Sequence, residues 1–193
     1  MNIEDLKKIP PELVELMSEM MDLIPQDLKD TLSTFLNSGI TLAQARGIEP
    51  DTIEAMYNVA YSLYQSRDFE KARQIFHTLV MLNHYEFRFY FGLASTYQML
   101  KEYNKAVQIY GIAHMFKGDD PSVPFHSAYC HSKLGNFDAA RSGYSYAANL
   151  AEGKPQFASL KDQAAKLEKI MERKLAGQGG GEVDNAEDVP KAS

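Results

Sequence analysis

Tryptophan is absent from this 193-residue chain, and cysteine occurs once, at Cys130. A single thiol closes no internal disulfide and builds no cysteine zinc site, which fits a reducing, cytoplasmic setting. No apolar run approaches the roughly 18 residues of a membrane helix. Residues 1–11 carry Glu4, Asp5, Lys7 and Lys8 and lack the apolar stretch and cleavage site of a secretory leader. A run of bases is missing too. The formal net charge is −6, and in the last seventeen residues Glu182, Asp184, Glu187 and Asp188 stand against Lys191. Those four acids and one base hold −3, so the body is nearly neutral, which excludes binding nucleic acid by charge.

Catalytic and metal constellations are equally scarce. His126 and His131 are five apart, a poor spacing for two ligands on one helix face, and His77, His84 and His114 have no acidic or cysteine partner at ligand spacing. Cys130 has no base placed to activate it, so it reads as a small buried residue. The glycines at 177–181 follow no strand and precede no lysine-serine pair, unlike a phosphate loop. The chain reads as a non-enzyme without cofactor or metal.

What is present is aromatic and periodic. Nineteen of the 21 Phe and Tyr residues lie between positions 51 and 150; only Phe35 and Phe157 fall outside. Ala60, Ala94 and Ala128 are 34 apart, as are Phe69, Tyr103 and Phe137, then Ala72, Ala106 and Ala140, then Phe76, Tyr110 and Tyr144. Leu79, Ala113 and Ala147 make a fifth row. The period and residue types resemble the tetratricopeptide repeat, two antiparallel helices per 34 residues. Units then run 53–86, 87–120 and 121–154.

The expected architecture is all-α. A helical N-terminal region (1–50) precedes three tandem repeats of an α-solenoid (51–154). A capping helix (155–176) carries Phe157, Leu160, Ala164, Leu167, Ile170 and Met171, and an acidic Gly-rich tail (177–193) is expected to be disordered. Asp51 is the expected N-cap of the first repeat helix, and Asp119 or Asp120 that of the third unit. Pro124 must sit in the first turn of its helix, or that helix starts late. In the N-terminal region Leu13, Leu16, Met17, Met20, Leu23 and Ile24 form a helical stripe, a short helix spans about 26–37, and another follows Thr41.

The first helix of each unit lines a solenoid's inner surface. Its groove-facing positions are Glu54, Tyr57, Tyr61 and Tyr64 in repeat one, and Arg88, Phe91, Ser95 and Gln98 in repeat two. Repeat three supplies Ser122, Phe125, Tyr129 and Ser132. An aromatic stripe at helical spacing is usually core. Here Met56, Val59, Ala60 and Leu63, with their equivalents, are expected to supply the core on the other face, which leaves the aromatics for a partner. Rings with a few hydroxyls and amides suit an apolar, extended peptide. The lysine and asparagine pairs that would clamp a peptide carboxylate are absent from these positions.

Shorter motifs carry a closer likeness. Ser38-Gly39-Ile40-Thr41-Leu42, Ile48-Glu49-Pro50-Asp51 with Met56-Tyr57, Tyr64-Gln65-Ser66, His84-Tyr85, Arg88-Phe89-Tyr90 with Gly92-Leu93, and Pro124-Phe125-His126 resemble the class II chaperones of bacterial type III secretion. The resemblance spans about 35–172. It implies a cytoplasmic chaperone of a Gram-negative bacterium, with two hydrophobic secreted translocators as clients. Each client would place an extended segment in a groove lined by Tyr57, Tyr61, Tyr64, Arg88, Phe91 and Phe125, and so be kept soluble and apart before export. It also implies a homodimer through N-terminal helices, which the stripe 13–24 would serve, and in some relatives transcriptional co-activation with a regulator protein. A generic repeat scaffold joining cytosolic proteins is the alternative.

Overall fold

In a computed structural model, the described residues are 39–177; the stripe at 13–24, the helix expected at 26–37 and nearly all of the acidic tail lie outside them. Eight α-helices follow in order: α1 Leu42–Ala45, α2 Pro50–Gln65, α3 Phe69–Leu82, α4 Phe87–Met99, α5 Tyr103–Phe116, α6 Ser122–Lys133, α7 Phe137–Leu150 and α8 Ala158–Leu175. A 3-10 turn, Pro155–Phe157, leads into α8. Consecutive helices pack as antiparallel pairs, α2 on α3, α4 on α5 and α6 on α7, and α8 closes the stack against α7. The fold is all-α, three tetratricopeptide repeats with a cap.

The 34-residue rows explain the stacking. Each alanine in the rows beginning at Ala60 and Ala72 is at most 1% exposed, a small side chain where neighbouring helices pack. Phe76, Tyr110 and Tyr144 fill the space so defined, each at most 1% exposed. Burial of one such ring stabilises by roughly 1.5–3 kcal/mol. The approach is tightest at Gly92 of α4, where an added Cβ would stand 2.3 Å from the Phe76 ring.

Three turns join the two helices of each unit, and they share one geometry. The N–H of Asp68, Glu102 and Asn136 each reaches back five residues, to the carbonyls of Leu63, Tyr97 and His131, at 2.9 Å in all three. This helix-ending motif needs a left-handed residue just before it. Gly135 supplies it in repeat three at φ 79°, but Arg67 (65°) and Lys101 (62°) do so in repeats one and two. The turn glycine that repeats one and two lack is thus replaced by strained side-chain residues, not by another turn.

Helix starts follow local chemistry, with two corrections. Thr41 and Gln44 form a reciprocal capping box on α1, with Thr41 N–H donating to Gln44 Oε1 at 2.8 Å. Asp51 does not cap α2: Glu49 is the N-cap, Pro50 takes the first helical position, and Asp51 lies in the first turn. Neither Asp119 nor Asp120 is the N-cap of α6: Pro121 takes that place, the Asp120 carboxylate one residue earlier accepts the Ser122 N–H at 3.0 Å, and Pro124 lies in the helix's first turn.

A third correction concerns the core face of α2. Val59 is 52% exposed, and Met56 and Leu63 are only half-buried. Leu93, one period on, is 1% exposed because α4 is flanked on both sides. No repeat precedes α2 among the described residues, so the same register position faces outward there.

Candidate functional site

The inner faces of α2 and α4, with the link from α5 to α6, enclose a pocket of about 290 Å³. Tyr57, Tyr61 and Tyr64 come from α2 at i, i+4 and i+7, one stripe of a 3.6-residue helix. Phe87, Arg88, Phe91, Gly92 and Ser95 come from α4. Lys117, Asp120 and Ser122 close the far side. Seven of the twelve groove positions expected from sequence therefore meet: Tyr57, Tyr61, Tyr64, Arg88, Phe91, Ser95 and Ser122.

Of the other five, Glu54 is exposed and pairs with Arg88, Ser132 donates its hydroxyl to the Tyr129 carbonyl at 2.7 Å, and three stand elsewhere. Phe125 is 2% exposed and packs edge-on against Tyr144 at 5.6 Å, in the core shared by α6, α7 and α8. Gln98, one turn beyond Ser95, is buried, and its Oε1 accepts from the Tyr110 hydroxyl at 3.0 Å. Tyr129 is half-buried, with its ring 6.5 Å from Tyr103 and Lys133 Nζ 5.4 Å above it.

Phe87, Gly92, Lys117 and Asp120 were missed from sequence. Phe87 and Phe91 form an i, i+4 aromatic pair with ring centroids 5.6 Å apart, a spacing visible beforehand. Lys117 and Asp120, paired at 3.0 Å, sit in an inter-repeat link that a helix-face argument does not reach. Gly92 lines the pocket because its missing side chain leaves room over Phe76.

One wall is held by a charged clamp. Arg88 forks onto Glu54 at 3.2 and 3.0 Å, and its Nε donates to Glu86 at 3.2 Å. The guanidinium lies 4.7 Å from the Tyr57 ring centroid, a cation–π contact. Both partners in the Arg88–Glu54 pair are more than 40% exposed, so its worth is orientation rather than stability. Tyr57 also touches Phe76 and Phe89, at 6.1 and 5.9 Å, so it belongs to wall and core together.

The titratable groups are tuned for hydrogen bonding. The hydrogen bond to Glu54 holds the Arg88 guanidinium protonated, with its pKa raised. Burial pushes the Tyr64 phenol up to about 12, and raises Tyr57 despite the opposing charge of Arg88. Burial would also raise Asp120, but the Ser122 N–H and the Lys117 ammonium outweigh it and bring the carboxyl down. Behind the pocket, burial depresses His126 to about 4 and lifts the Cys130 thiol to about 12, so both are neutral near pH 7. Neither is poised as a base or nucleophile. Among the described residues no group of three His, Cys, Asp or Glu side chains is placed to hold a metal ion.

A groove of stacked rings and neutral hydroxyls between repeat helices thus stands where a solenoid binds its partners, and known proteins match it. The tetratricopeptide-repeat family profile matches residues 54–80 and 89–113. The low calcium response locus protein H of Yersinia pseudotuberculosis is 34% identical over 153 residues, covering 76% of this chain and 91% of that protein. The type III secretion translocator chaperone SycD of Yersinia enterocolitica, solved with a peptide of the translocator YopD, is 32% identical with a TM-score of 0.64. That alignment covers 66% of this chain and 98% of SycD.

The chain belongs to the class II chaperones of type III secretion. A type III secretion complex from Aeromonas hydrophila has the same fold at a TM-score of 0.73 and 33% identity, over 76% of this chain and 98% of the matched one. PcrH has been solved with the chaperone binding regions of PopD and of PopB. SycD has also been solved as an alternative dimer. Among the described residues no helix of this chaperone is long and apolar enough to cross a membrane.

Proposed function

We propose that this chaperone holds an extended, apolar segment of each of two hydrophobic translocators in the concave groove of repeats one and two, in the cytoplasm of a Gram-negative bacterium. Held so, each client stays soluble and separate until export. The observation that carries this reading is the pocket itself: Tyr61, Tyr64, Phe87 and Phe91 line it with rings, and Arg88 and Lys117 line it with donors. Rings bind apolar side chains, and the donors meet backbone carbonyls of an extended chain. The peptides seen with SycD and PcrH support the same kind of occupant. The chaperone acts by binding, without turnover of a substrate.

Co-expression with the translocators of its own operon tests the groove. Tyr61→Ala with Phe91→Ala is expected to abolish client co-purification while the helical circular dichroism signal is kept. Undiminished client recovery contradicts the proposal. We further assign the homodimer seam to Leu13, Leu16, Met17, Met20, Leu23 and Ile24, on the apolar stripe they form in sequence. Met17→Glu with Met20→Glu should then give monomers by light scattering, and a persistent dimer overturns the assignment.

A further inference from the structure

Ser95 stands at the floor of the pocket on α4, 2% exposed, with its Oγ 3.0 Å from the Tyr110 hydroxyl oxygen. The Tyr110 hydroxyl in turn lies 3.0 Å from Gln98 Oε1. A phenol carries one proton, and a carboxamide oxygen only accepts. The Tyr110 proton therefore goes to Gln98, and the Ser95 proton has to go to Tyr110. From α6, His126 Nδ1 at 3.3 Å and Cys130 Sγ at 3.7 Å converge on the same Gln98 oxygen. The Tyr110 hydroxyl and the Cys130 thiol both donate to this oxygen, so the amide presents its oxygen to them and not its NH₂ group. Burial keeps the Tyr110 phenol protonated, so the direction of the chain does not reverse near neutral pH.

This relay leaves Ser95 with lone pairs and no proton to give. Among the described residues it has no hydrogen-bond partner besides Tyr110. The polarity at the pocket floor is therefore opposite to that at the rim, where Arg88 and Lys117 are cationic donors.

We propose that Ser95 is a specificity-determining residue of the groove: it accepts a hydrogen bond from an N–H or O–H of the bound segment, and disfavours a carbonyl or carboxylate oxygen at that point. The proposal rests on the groove reading above, and it fixes the register of an extended segment, since only alternate backbone N–H groups of such a chain point to one side. Tyr110 and Gln98 act through Ser95, as positioning residues that orient its proton away from the ligand.

The test uses the YopD peptide and the chaperone-binding region of PopD, each prepared as a series in which one backbone amide at a time is replaced by an ester. Each ester removes a single N–H. Calorimetric affinities are measured for wild type, Ser95→Ala and Tyr110→Phe, with thermal melts to confirm folding. In wild type, one ester position should weaken binding by about tenfold. Ser95→Ala should weaken the unmodified peptide by a similar factor and show no further loss at that ester. Tyr110→Phe frees the serine proton, so the penalty at that position should shrink to about threefold or less. An ester penalty that survives in Ser95→Ala, or equal affinity of Ser95→Ala and wild type for every peptide, overturns the proposal while leaving the groove in place. If neither unmodified peptide binds wild type, or if Tyr61→Ala leaves binding unchanged, the groove reading itself fails and the Ser95 assignment with it.

Discussion

Tyr57, Phe91 and Phe125 occupy the same position in three successive repeats, yet the first two line a pocket and the third is core. Register places all three on the inner side of their helices, so register alone does not decide. The difference comes from what lies behind. In repeat three, α7 closes on α6 at Gly143, where an added Cβ would stand 2.9 Å from Ala128 Cβ. Ile75 and Ile109 take the equivalent places in α3 and α5. Beyond α7, α8 covers the end of the stack with Ala164 and Met171 in the Phe125 cluster. Repeats one and two thus leave aromatics lining the pocket, whereas Phe125 of repeat three is buried in the core that ends the solenoid.

The sharpest way to break this contrast is to truncate the two phenylalanines separately. Phe125→Ala should cost about 3–5 kcal/mol of stability, the usual loss for a fully buried ring. Phe91→Ala should cost less, because its ring is half-buried, and should remove client binding. Denaturant titrations with a client pull-down separate the outcomes. Similar stability losses for the two would mean that both rings are core.

Acid should act on the same boundary. His126, beside Phe91, Phe125 and Tyr110, has a folded pKa of about 4, below the ordinary value of 6.5. The unfolded chain then takes up the proton first, so stability is complete above pH 6.5 and falls as the pH drops toward 4. The loss should be on the order of 3 kcal/mol. Asp120, the charge that favours protonation of His126, is itself lowered, so its own contribution is lost only at still lower pH. His126→Gln is expected to flatten the melting temperature between pH 6.5 and 4, and an unchanged slope would show that another group sets it.

The smallest effect concerns the turns. Lys101→Gly relieves a left-handed residue where repeat three already has Gly135. The expected gain is about 1 kcal/mol, partly offset by the greater freedom of glycine in the unfolded chain. A loss of melting temperature would mean that the Lys101 side chain carries more than its backbone strain.

The repeat was fully legible because its signal is a distance between residue types: five rows at one spacing fix both helices of each unit. The groove was legible from the same register, at Tyr57, Tyr61, Tyr64, Arg88, Phe91, Ser95 and Ser122. It was not legible at Phe125, since a Phe in that position looks the same in sequence whether the next helix and the cap bury it or not. Val59 failed for the opposite reason: its periodic equivalent is core only when another repeat covers it. Lys117 and Asp120 lie in a link outside the helical pattern, and only folding brings them to the rim.

The account's central claim is that the rings of repeats one and two hold the client while those of repeat three hold the fold. Calorimetric titration of the YopD peptide into wild type and into Tyr61→Ala with Phe91→Ala tests it most directly, at a temperature where both remain folded. The account predicts at least a hundredfold loss of affinity for the double variant, about 2.8 kcal/mol. Binding within threefold of wild type would contradict it.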